Sequence, residues 1–241
     1  MSLATDRILI IGGSSGMGLA TARRLGAAGA RPIIAGRNAA RLGDALATLP
    51  AGASAETVDF ADEASIAALF ERVGAIDHLM LCASSGAAWG PFATLETAAV
   101  RTAFDNKFWG YWMATRLALP HLAERGSILM VTGAAGRAAM PGTSGLAAVN
   151  AAIAGFARTL AVELAPRRVN VLSPGLVDTD AYGWMPTDAR SAFFADTAAK
   201  LPAGRIGAAD DIAAMAETML ANPFLTGAVI DLDGGASLHR G

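Results

Sequence analysis

With 241 residues and a formal net charge of −2, the chain has no run of basic residues, which argues against nucleic acid as a partner. Hydrophobic residues make up 53% of the chain and aromatic residues only 6%, so we expect a core built mainly from Ala, Leu, Ile and Val. This length and composition suit one α/β domain, in which alanine-rich helices pack closely on a sheet.

The sequence also bears on the compartment and on metal binding. The N-terminus lacks a charged segment followed by a long apolar stretch, and no apolar run reaches about 18 residues, so we predict neither a signal peptide nor a membrane partner. The single cysteine, Cys82, cannot form an internal disulfide, which is typical of a cytoplasmic protein. His78 and His121 have no partner at ligand spacing, so we predict no metal site.

A strand, a glycine-rich turn and a helix follow one another at the start of the chain. Residues 8–11 have the length and β-branching of a buried parallel strand, and Leu19, Ala22 and Leu25 then recur at helical spacing. Glycines allow backbone N–H groups to approach an anion, and a helix N-terminus adds partial positive charge. We therefore predict that a nucleotide phosphate binds at Gly12, Ser14, Ser15, Gly16, Met17 and Gly18. The alternative is an ordinary flexible turn.

The end of the second predicted strand indicates which dinucleotide binds. This strand spans residues 31–35 and is followed by Arg37 and Asn38. A free ribose hydroxyl is usually bound by an acidic side chain at this position, whereas a 2′-phosphate requires an arginine. No Asp or Glu occurs between Arg7 and Gly43, so we predict that Arg37 binds a 2′-phosphate and that NADP(H) is preferred over NAD(H). Asn38 is predicted to lie at the cofactor and to cap the next helix, and the alternative for Arg37 is a solvated side chain.

The remaining elements alternate between strands and helices. Predicted strands span residues 55–58, 76–82, 127–131, 169–172 and 229–231, and predicted helices span residues 62–73, 97–119, 143–164 and 210–220. This alternation predicts a doubly wound parallel sheet of about seven strands with helices on both faces, in a single domain over residues 1–241. Residues 180–200 contain Trp184, Phe193 and Phe194 and are predicted to form a lid over a largely apolar substrate pocket.

Glycine motifs stand at the ends of three predicted strands. They are Gly12-x-x-x-Gly16-x-Gly18, Pro174-Gly175 and Asp233-Gly234-Gly235. Their spacing resembles the short-chain dehydrogenase/reductase family over residues 7–237, and the resemblance implies a Rossmann-type fold that binds a nicotinamide dinucleotide. It further implies cofactor contacts from Asp59, Phe60, Ala83, Ser84, Pro174, Gly175, Val177 and Thr179.

The contacts implied by the resemblance differ in their chemistry. The family's aspartate, here Asp59, accepts a hydrogen bond from the adenine amino group, and the alternative is a turn that leads into the following helix. The family's Asn-Asn-Ala-Gly motif falls on residues 81–84, where only Ala83 is kept. In the family the Pro-Gly turn presses on the nicotinamide end of the cofactor, and the threonine, here Thr179, bonds its carboxamide or a phosphate.

The family's catalytic residues map onto changed positions in this chain. In the family a tyrosine transfers the proton, a lysine four residues later lowers the pKa of that tyrosine and holds the ribose, a serine polarises the carbonyl, and an asparagine supports a water relay. Residues 155–166 match the family's stretch after Tyr-x-x-x-Lys, and counting back places Leu146 at the tyrosine and Asn150 at the lysine. Gly133 stands at the serine position and Lys107 at the asparagine position. We therefore predict an atypical site that lacks the usual residues.

Two functions fit a chain with these substitutions. In the first, the protein is an NADP(H)-dependent oxidoreductase acting on a small carbonyl or alcohol substrate, with Lys107 as proton donor or oxyanion stabiliser and Asn150 bonding the ribose. The alternative for Lys107 is a structural lysine that bonds backbone carbonyls. In the second, the protein is a catalytically inactive NADP(H)-binding sensor or scaffold. The retained Pro174, Gly175 and Thr179 favour the enzyme, because a protein that binds only the adenosine half does not need them.

The two long predicted helices bear on assembly. Residues 97–119 and 143–164 carry more Ala, Leu and Val than one face of a sheet covers. Large exposed apolar patches are rare on monomers. Together with the family resemblance, this composition predicts a homodimer or homotetramer with twofold symmetry.

Overall fold

Parallel strands form the centre of the computed structural model, which describes residues 2–83 and 88–238. The strands are β1 Arg7–Ile11, β2 Arg31–Gly36, β3 Ser54–Thr57, β4 Ile76–Leu81, β5 Leu122–Val131, β6 Arg168–Pro174, β7 Val177–Asp178, β8 Gly207–Ala208 and β9 Val229–Leu232. Within the described ranges, seven strands pair in the parallel order β3-β2-β1-β4-β5-β6-β9, and β7 pairs with β8 separately. The strand order reverses between β1 and β4, where open α/β sheets form a ligand crevice at the carboxyl ends of the strands.

Helices cover both faces of this sheet. They are α1 Gly16–Ala27, α2 Ala39–Leu46, α3 Glu63–Val73, α4 Thr97–Ala103, α5 Gly110–Ala118, α6 Ser144–Glu163, α7 Thr187–Lys200 and α8 Ala209–Ala221. Buried side chains of α1, α2 and α8 pack on one face, and those of α3, α5 and α6 pack on the other. This arrangement confirms the doubly wound parallel sheet predicted from the sequence.

Alternate residues of β1 face the two helical layers. Ile8 and Ile10 pack with α1 and α8, whereas Leu9 and Ile11 pack with α3, α5 and α6, and all four are at most 1% exposed. Successive side chains of a strand point to opposite faces, so a strand covered on both sides requires a continuous apolar run. Burying each of these side chains contributes about 1.5–3 kcal/mol.

The long helix predicted over residues 97–119 is interrupted at its centre. α4 ends at Ala103, a π-helical segment spans Phe104–Trp109, and α5 begins at Gly110. At that point the helix comes very close to Phe60, because a Cβ added to Gly110 would lie 2.6 Å from two of its ring carbons. The prediction of one regular helix is therefore wrong here. The extra residue of a π-helical turn hardly changes the spacing of the apolar residues, so the sequence pattern does not reveal the interruption.

The fifth strand is longer than predicted. It begins at Leu122 rather than at Ser127, because Leu122 pairs with Ile76 of β4 ahead of a register shift. The intervening Glu124 and Arg125 are exposed. These polar residues interrupt the apolar sequence pattern that predicted the strand, but the backbone of β5 continues through them.

α6 is the one helix among the described residues that is long and apolar enough to cross a membrane, by length and composition only. It is not an uninterrupted apolar run, because Asn150 and Arg158 lie within Ser144–Glu163. Its alanine content raises the hydropathy of the whole helix, although only one face is buried. Val149, Ile153 and Ala157 on that face belong to the core cluster beside the sheet. The apolar residues on this face of α6 therefore form part of the core.

Candidate cofactor and catalytic site

The turn between β1 and α1 brings three backbone segments into close contact. Gly12 has a φ of +91°, and a Cβ at this position would lie 2.7 Å from the carbonyl carbon of Cys82 at the end of β4. A Cβ at Gly18 would lie 2.2 Å from the carbonyl oxygen of Gly12. Only glycine fits at these two positions, because no side chain can occupy space already filled by backbone.

We expect Gly18→Ala to lower the free energy of unfolding by about 1–3 kcal/mol, because the added methyl group forces the turn apart. The same change should abolish binding of a dinucleotide at this turn. Gly43→Ala in α2 is the matched control, since its Cβ would have no atom within 4 Å. That control should gain about 0.5–1 kcal/mol from the higher helix propensity of alanine. Urea unfolding of both variants checks the prediction, and equal stability of the two would contradict it.

The N-terminus of α1 is open to an anion. Ser15 precedes the helix in an extended conformation, and its side chain makes no capping hydrogen bond. The first turn of α1 also contains no acidic residue. The first backbone N–H groups of a helix have no partner within it, and they carry the positive end of the helix dipole. This geometry suits a phosphate.

A cavity of about 310 Å³ opens above this turn, at the carboxyl end of the sheet. Its walls include most of the residues predicted to bind the cofactor: Gly12, Ser14, Ser15, Gly16, Met17, Gly18, Arg37, Phe60, Ala83 and Thr179. They also include residues that the sequence interpretation did not find: Ile11, Gly36, Arg41, Val58, Cys82, Asp180 and Ala181. The fold therefore gathers the predicted phosphate-binding turn and the predicted arginine around one space.

Two arginines line this cavity without a counterion. Arg37 and Arg41 are both exposed, and neither guanidinium forms an ion pair or hydrogen bond with any residue in 2–83 or 88–238. Asp180 is the one carboxylate among the described residues that line the cavity. The sequence interpretation missed Arg41, which lies in the first turn of α2, whereas Arg37 precedes that helix. Two unpaired cations beside a phosphate-binding turn suit a second phosphate group.

Asn38 and Asp59 make local hydrogen bonds and do not line the cavity. Asn38 Oδ1 accepts from the backbone N–H of Arg41 at 3.0 Å, which caps α2 as predicted. Asp59 Oδ1 accepts from the backbone N–H of Ala61 at 3.1 Å in the turn that leads towards α3. The structure therefore shows Asp59 in the turn contact that we considered as the alternative to an adenine contact. Short polar side chains at such turns commonly bond their own backbone.

Three residues predicted to contact the nicotinamide end of the cofactor, Pro174, Gly175 and Val177, lie outside the cavity lining. Gly175 packs against Asp233, and a Cβ at Gly175 would lie 2.6 Å from the Cα of Asp233. Pro174 ends β6, and Val177 is 5% exposed in the core cluster that includes α1 and α8. These residues do not reach the cavity wall. The predicted contact from Ser84 lies outside the described residues.

Lys107 lies in a buried cluster with Asn150 and Gly133, two other residues that the sequence interpretation placed at catalytic positions. Its side chain points inward from the π-helical segment and is 8% exposed. Its Nζ donates to Asn150 Oδ1 at 2.9 Å and to the carbonyl oxygen of Thr132 at 3.3 Å. A Cβ at Gly133 would lie 3.2 Å from Asn150 Nδ2, so Gly133 belongs to the same cluster. Leu146 lies one turn before Asn150 on α6.

Burial shifts the titration of two groups in this region. It lowers the pKa of Lys107 to about 8 and raises the pKa of the Cys82 thiol to about 11. The thiol is therefore neutral near neutral pH and provides no counterion for the amine. With a pKa of about 8, the Lys107 amine is mostly protonated at neutral pH and releases its proton slightly above it. This range suits a group that transfers protons.

Tyr111 joins the ends of the two central strands, a role that the sequence did not reveal. Its hydroxyl lies 2.9 Å from the carbonyl oxygen of Leu81 in β4 and 2.8 Å from that of Val131 in β5. A third carbonyl oxygen, of Ala83, lies 3.2 Å away. The hydroxyl is held by backbone acceptors, and burial raises the pKa of Tyr111.

Comparison with known proteins identifies the class of this chain. The family described as enoyl-(acyl carrier protein) reductase matches residues 12–237. A cis-4-hydroxycyclohexanecarboxylate dehydrogenase from Sinomonas cyclohexanicum is 31% identical over 95% of this chain and 96% of its own length. A 3-oxoacyl-(acyl-carrier-protein) reductase from Bos taurus is 30% identical over 95% of this chain and 97% of its own. A solved small-chain dehydrogenase in complex with NADPH is 35% identical, covers 98% of this chain and 100% of its own, and superposes with a TM-score of 0.85.

The chain belongs to the short-chain dehydrogenase/reductase family, whose members are oxidoreductases that use nicotinamide cofactors. The residues of the cavity fit such a cofactor. The open N-terminus of α1 suits its phosphates, and the backbone contacts that require glycine at Gly12 and Gly18 shape the turn before that helix. Among the described residues, no group of three His, Cys, Asp or Glu side chains is placed to hold a metal ion.

Proposed function

We propose that this protein is an NADP(H)-dependent oxidoreductase that acts on a small carbonyl or alcohol substrate through an atypical site. The observation that carries the proposal is the buried amine of Lys107, held by Asn150 and the carbonyl of Thr132. Lys107 and Asn150 occupy the family's asparagine and lysine positions, and Leu146 occupies the tyrosine position. Two relatives are named for alcohol dehydrogenation and 3-oxoacyl reduction, which supports carbonyl and alcohol chemistry here.

The preference for NADP(H) rests on Arg37 and Arg41. Both guanidinium groups line the cavity without a carboxylate partner among the described residues. A 2′-phosphate would accept charge-assisted hydrogen bonds from them, whereas a free 2′-hydroxyl would leave two like charges uncompensated. The NADPH complex of a relative that is 35% identical supports the same choice.

In the proposed mechanism Lys107 moves the proton. A bound nicotinamide dinucleotide supplies or accepts the hydride. The Lys107 ammonium donates a proton to the substrate's carbonyl oxygen during reduction, and the neutral amine accepts one during alcohol oxidation. Because the pKa of Lys107 is about 8, both forms are accessible near neutral pH. Asn150, which carries no charge, replaces the family's lysine at the ribose.

We assign residues 180–200 as a lid over an apolar substrate. Tyr182, Phe193 and Phe194 pack against one another with ring centroids 5.5–6.4 Å apart. Trp184 is 78% exposed in the same segment. α7 begins after this tryptophan and contributes no buried residue. A segment whose helix buries no residue can move aside for a substrate.

We also propose a cytoplasmic homodimer or homotetramer that contacts its copies through α5 and α6. Trp109 and Trp112 remain 47% and 42% exposed, and Phe156 of α6 stacks on Trp112 at 4.9 Å. Phe108 completes this aromatic patch. A surface of clustered aromatic rings is typical of an interface. The single cysteine agrees with a reducing compartment.

The second candidate function is an inactive NADP(H)-binding sensor or scaffold, which Leu146 at the tyrosine position favours. The two functions are separated by mixing the protein with NADPH and a panel of aldehydes and ketones. The oxidoreductase is expected to oxidise NADPH with at least one compound. Tight NADPH binding with no turnover across the panel would favour the sensor, and equal affinity for NADPH and NADH would overturn the cofactor assignment.

A further inference from the structure

We propose that Asn150 is a positioning residue for Lys107, in that its side-chain oxygen fixes the amine and leaves one N–H free for a ligand oxygen. The inference deepens the proposed function and rests on it for the role of the amine. The hydrogen bond itself rests on the geometry alone. This role differs from the ribose contact predicted for Asn150 from the sequence.

The donor groups of Lys107 are only partly used. A lysine ammonium carries three N–H donors. Two of them are assigned, to Asn150 Oδ1 at 2.9 Å and to the carbonyl oxygen of Thr132 at 3.3 Å. Residues 2–83 and 88–238 provide no acceptor for the third. A buried donor without a partner is unfavourable, so this N–H favours a carbonyl or hydroxyl oxygen brought by a ligand.

Asn150 is itself held in place by a glycine turn. Gly133 and Gly136 lie close to Asn150, which is 7% exposed. A Cβ at Gly136 would lie 2.8 Å from the Cβ of Asn150, and one at Gly133 would lie 3.2 Å from its Nδ2. Both glycines thus allow the turn to pack directly on the amide. A side chain confined in this way can fix the group that it bonds.

The charge on Lys107 has no carboxylate partner among the described residues. The titratable groups that face its amine are Cys82, which follows β4, and Tyr111 from α5, and burial raises the pKa of both. Both are therefore neutral near neutral pH. The ammonium is stabilised by two dipoles, the amide of Asn150 and the carbonyl of Thr132. Removing the amide oxygen should therefore favour the neutral amine.

The chain allows a direct test, because it contains two lysines, Lys107 and Lys200. Protein labelled with ¹³C at lysine Cε should give two titrating NMR signals, and Lys200→Arg identifies the one from Lys107. We expect that signal to titrate at about pH 8 in the unmodified protein. Asn150→Leu should lower the midpoint by about one unit, since a hydrogen bond to the charged form is lost. Asn150→Asp, nearly identical in shape, should raise it.

Controls separate this inference from the proposed function. Gly155→Ala lies on the same helix, where a Cβ has no atom within 4 Å, and should leave the Lys107 midpoint unchanged. An unchanged midpoint in both Asn150 variants overturns the inference, and if the leucine variant does not fold, the aspartate variant decides alone. The NMR titration requires neither cofactor nor substrate. An absence of turnover would therefore overturn the proposed function and leave the inference about Asn150 unaffected. In an active enzyme, the pH midpoint of turnover should move with the Lys107 midpoint.

Discussion

Lys107→Met is expected to lower kcat/KM for NADPH-dependent carbonyl reduction by about 10²–10⁴-fold, because it removes the proposed proton donor. Methionine has a similar volume and adapts to irregular cores, so the cluster should remain packed. Steady-state rates with a ketone from the panel measure the effect. Lys200→Met is the matched control, since Lys200 is exposed and pairs with Asp196. Unchanged turnover in Lys107→Met would show that this amine takes no part in the chemistry.

The same substitution should alter how stability depends on pH. The pKa of Lys107 is about 8 in the fold, against an ordinary value of 10.5 for a lysine. The folded state therefore disfavours the protonated amine, and this penalty is fully present below about pH 8. As the pH rises towards 10.5, the wild-type protein should gain about 3 kcal/mol of unfolding free energy relative to Lys107→Met. Denaturant unfolding of both proteins across this range checks the sign, and parallel curves would contradict it.

Replacing Arg37 with aspartate is expected to weaken NADPH binding by about 10–100-fold, because one charge-assisted hydrogen bond to a phosphate contributes about 1.5–3 kcal/mol. NADH binding should hold or improve, since a carboxylate at this position accepts from a free 2′-hydroxyl. Arg41→Ala should weaken NADPH binding to a smaller degree and leave NADH binding unchanged. Calorimetric titration of the two dinucleotides measures all of these effects.

The control for the arginine substitutions is Arg31→Ala. Arg31 is exposed at the start of β2, at the opposite end of that strand from Arg37. Its removal should leave both dinucleotide affinities unchanged at constant ionic strength. Equal loss in Arg31→Ala and Arg37→Asp would indicate a general effect of net charge rather than a phosphate contact.

Local patterns in the sequence were sufficient for the fold and for one half of the site. The continuous apolar run of β1 and the glycines at positions 12, 16 and 18 encode their structure within a few residues, so strand, turn and helix were predicted together. Asn38 was correctly predicted to cap α2 by the same local rule. Asp59 shows the limit of this local rule. Its carboxylate bonds the nearby backbone N–H of Ala61 and does not line the cavity, so the predicted adenine contact has no support there.

The proposed catalytic cluster depends on contacts between distant residues, which the spacing of apolar residues in the sequence does not reveal. Lys107 and Asn150 meet across two helices, and the π-helical segment that carries Lys107 leaves the apolar spacing nearly regular. For Tyr111, helical spacing indicates a sheet-facing side chain, but it does not show that the hydroxyl reaches carbonyl oxygens on two strands. Such contacts follow from tertiary packing, which fixes distances between residues far apart in sequence.

The light packing of α7 affects how this chain can diversify. No residue of Thr187–Lys200 is buried, and Arg190 ties the helix to the segment around β7 through an ion pair with Asp178 and a hydrogen bond to the carbonyl oxygen of Thr179 at 3.2 Å. Exposed substitutions away from such contacts usually change stability by no more than about 0.5 kcal/mol. New side chains on this helix can therefore accumulate without penalty to the sheet. Substitutions in α7 can therefore change the proposed substrate range, while the sheet and its buried helices maintain the fold.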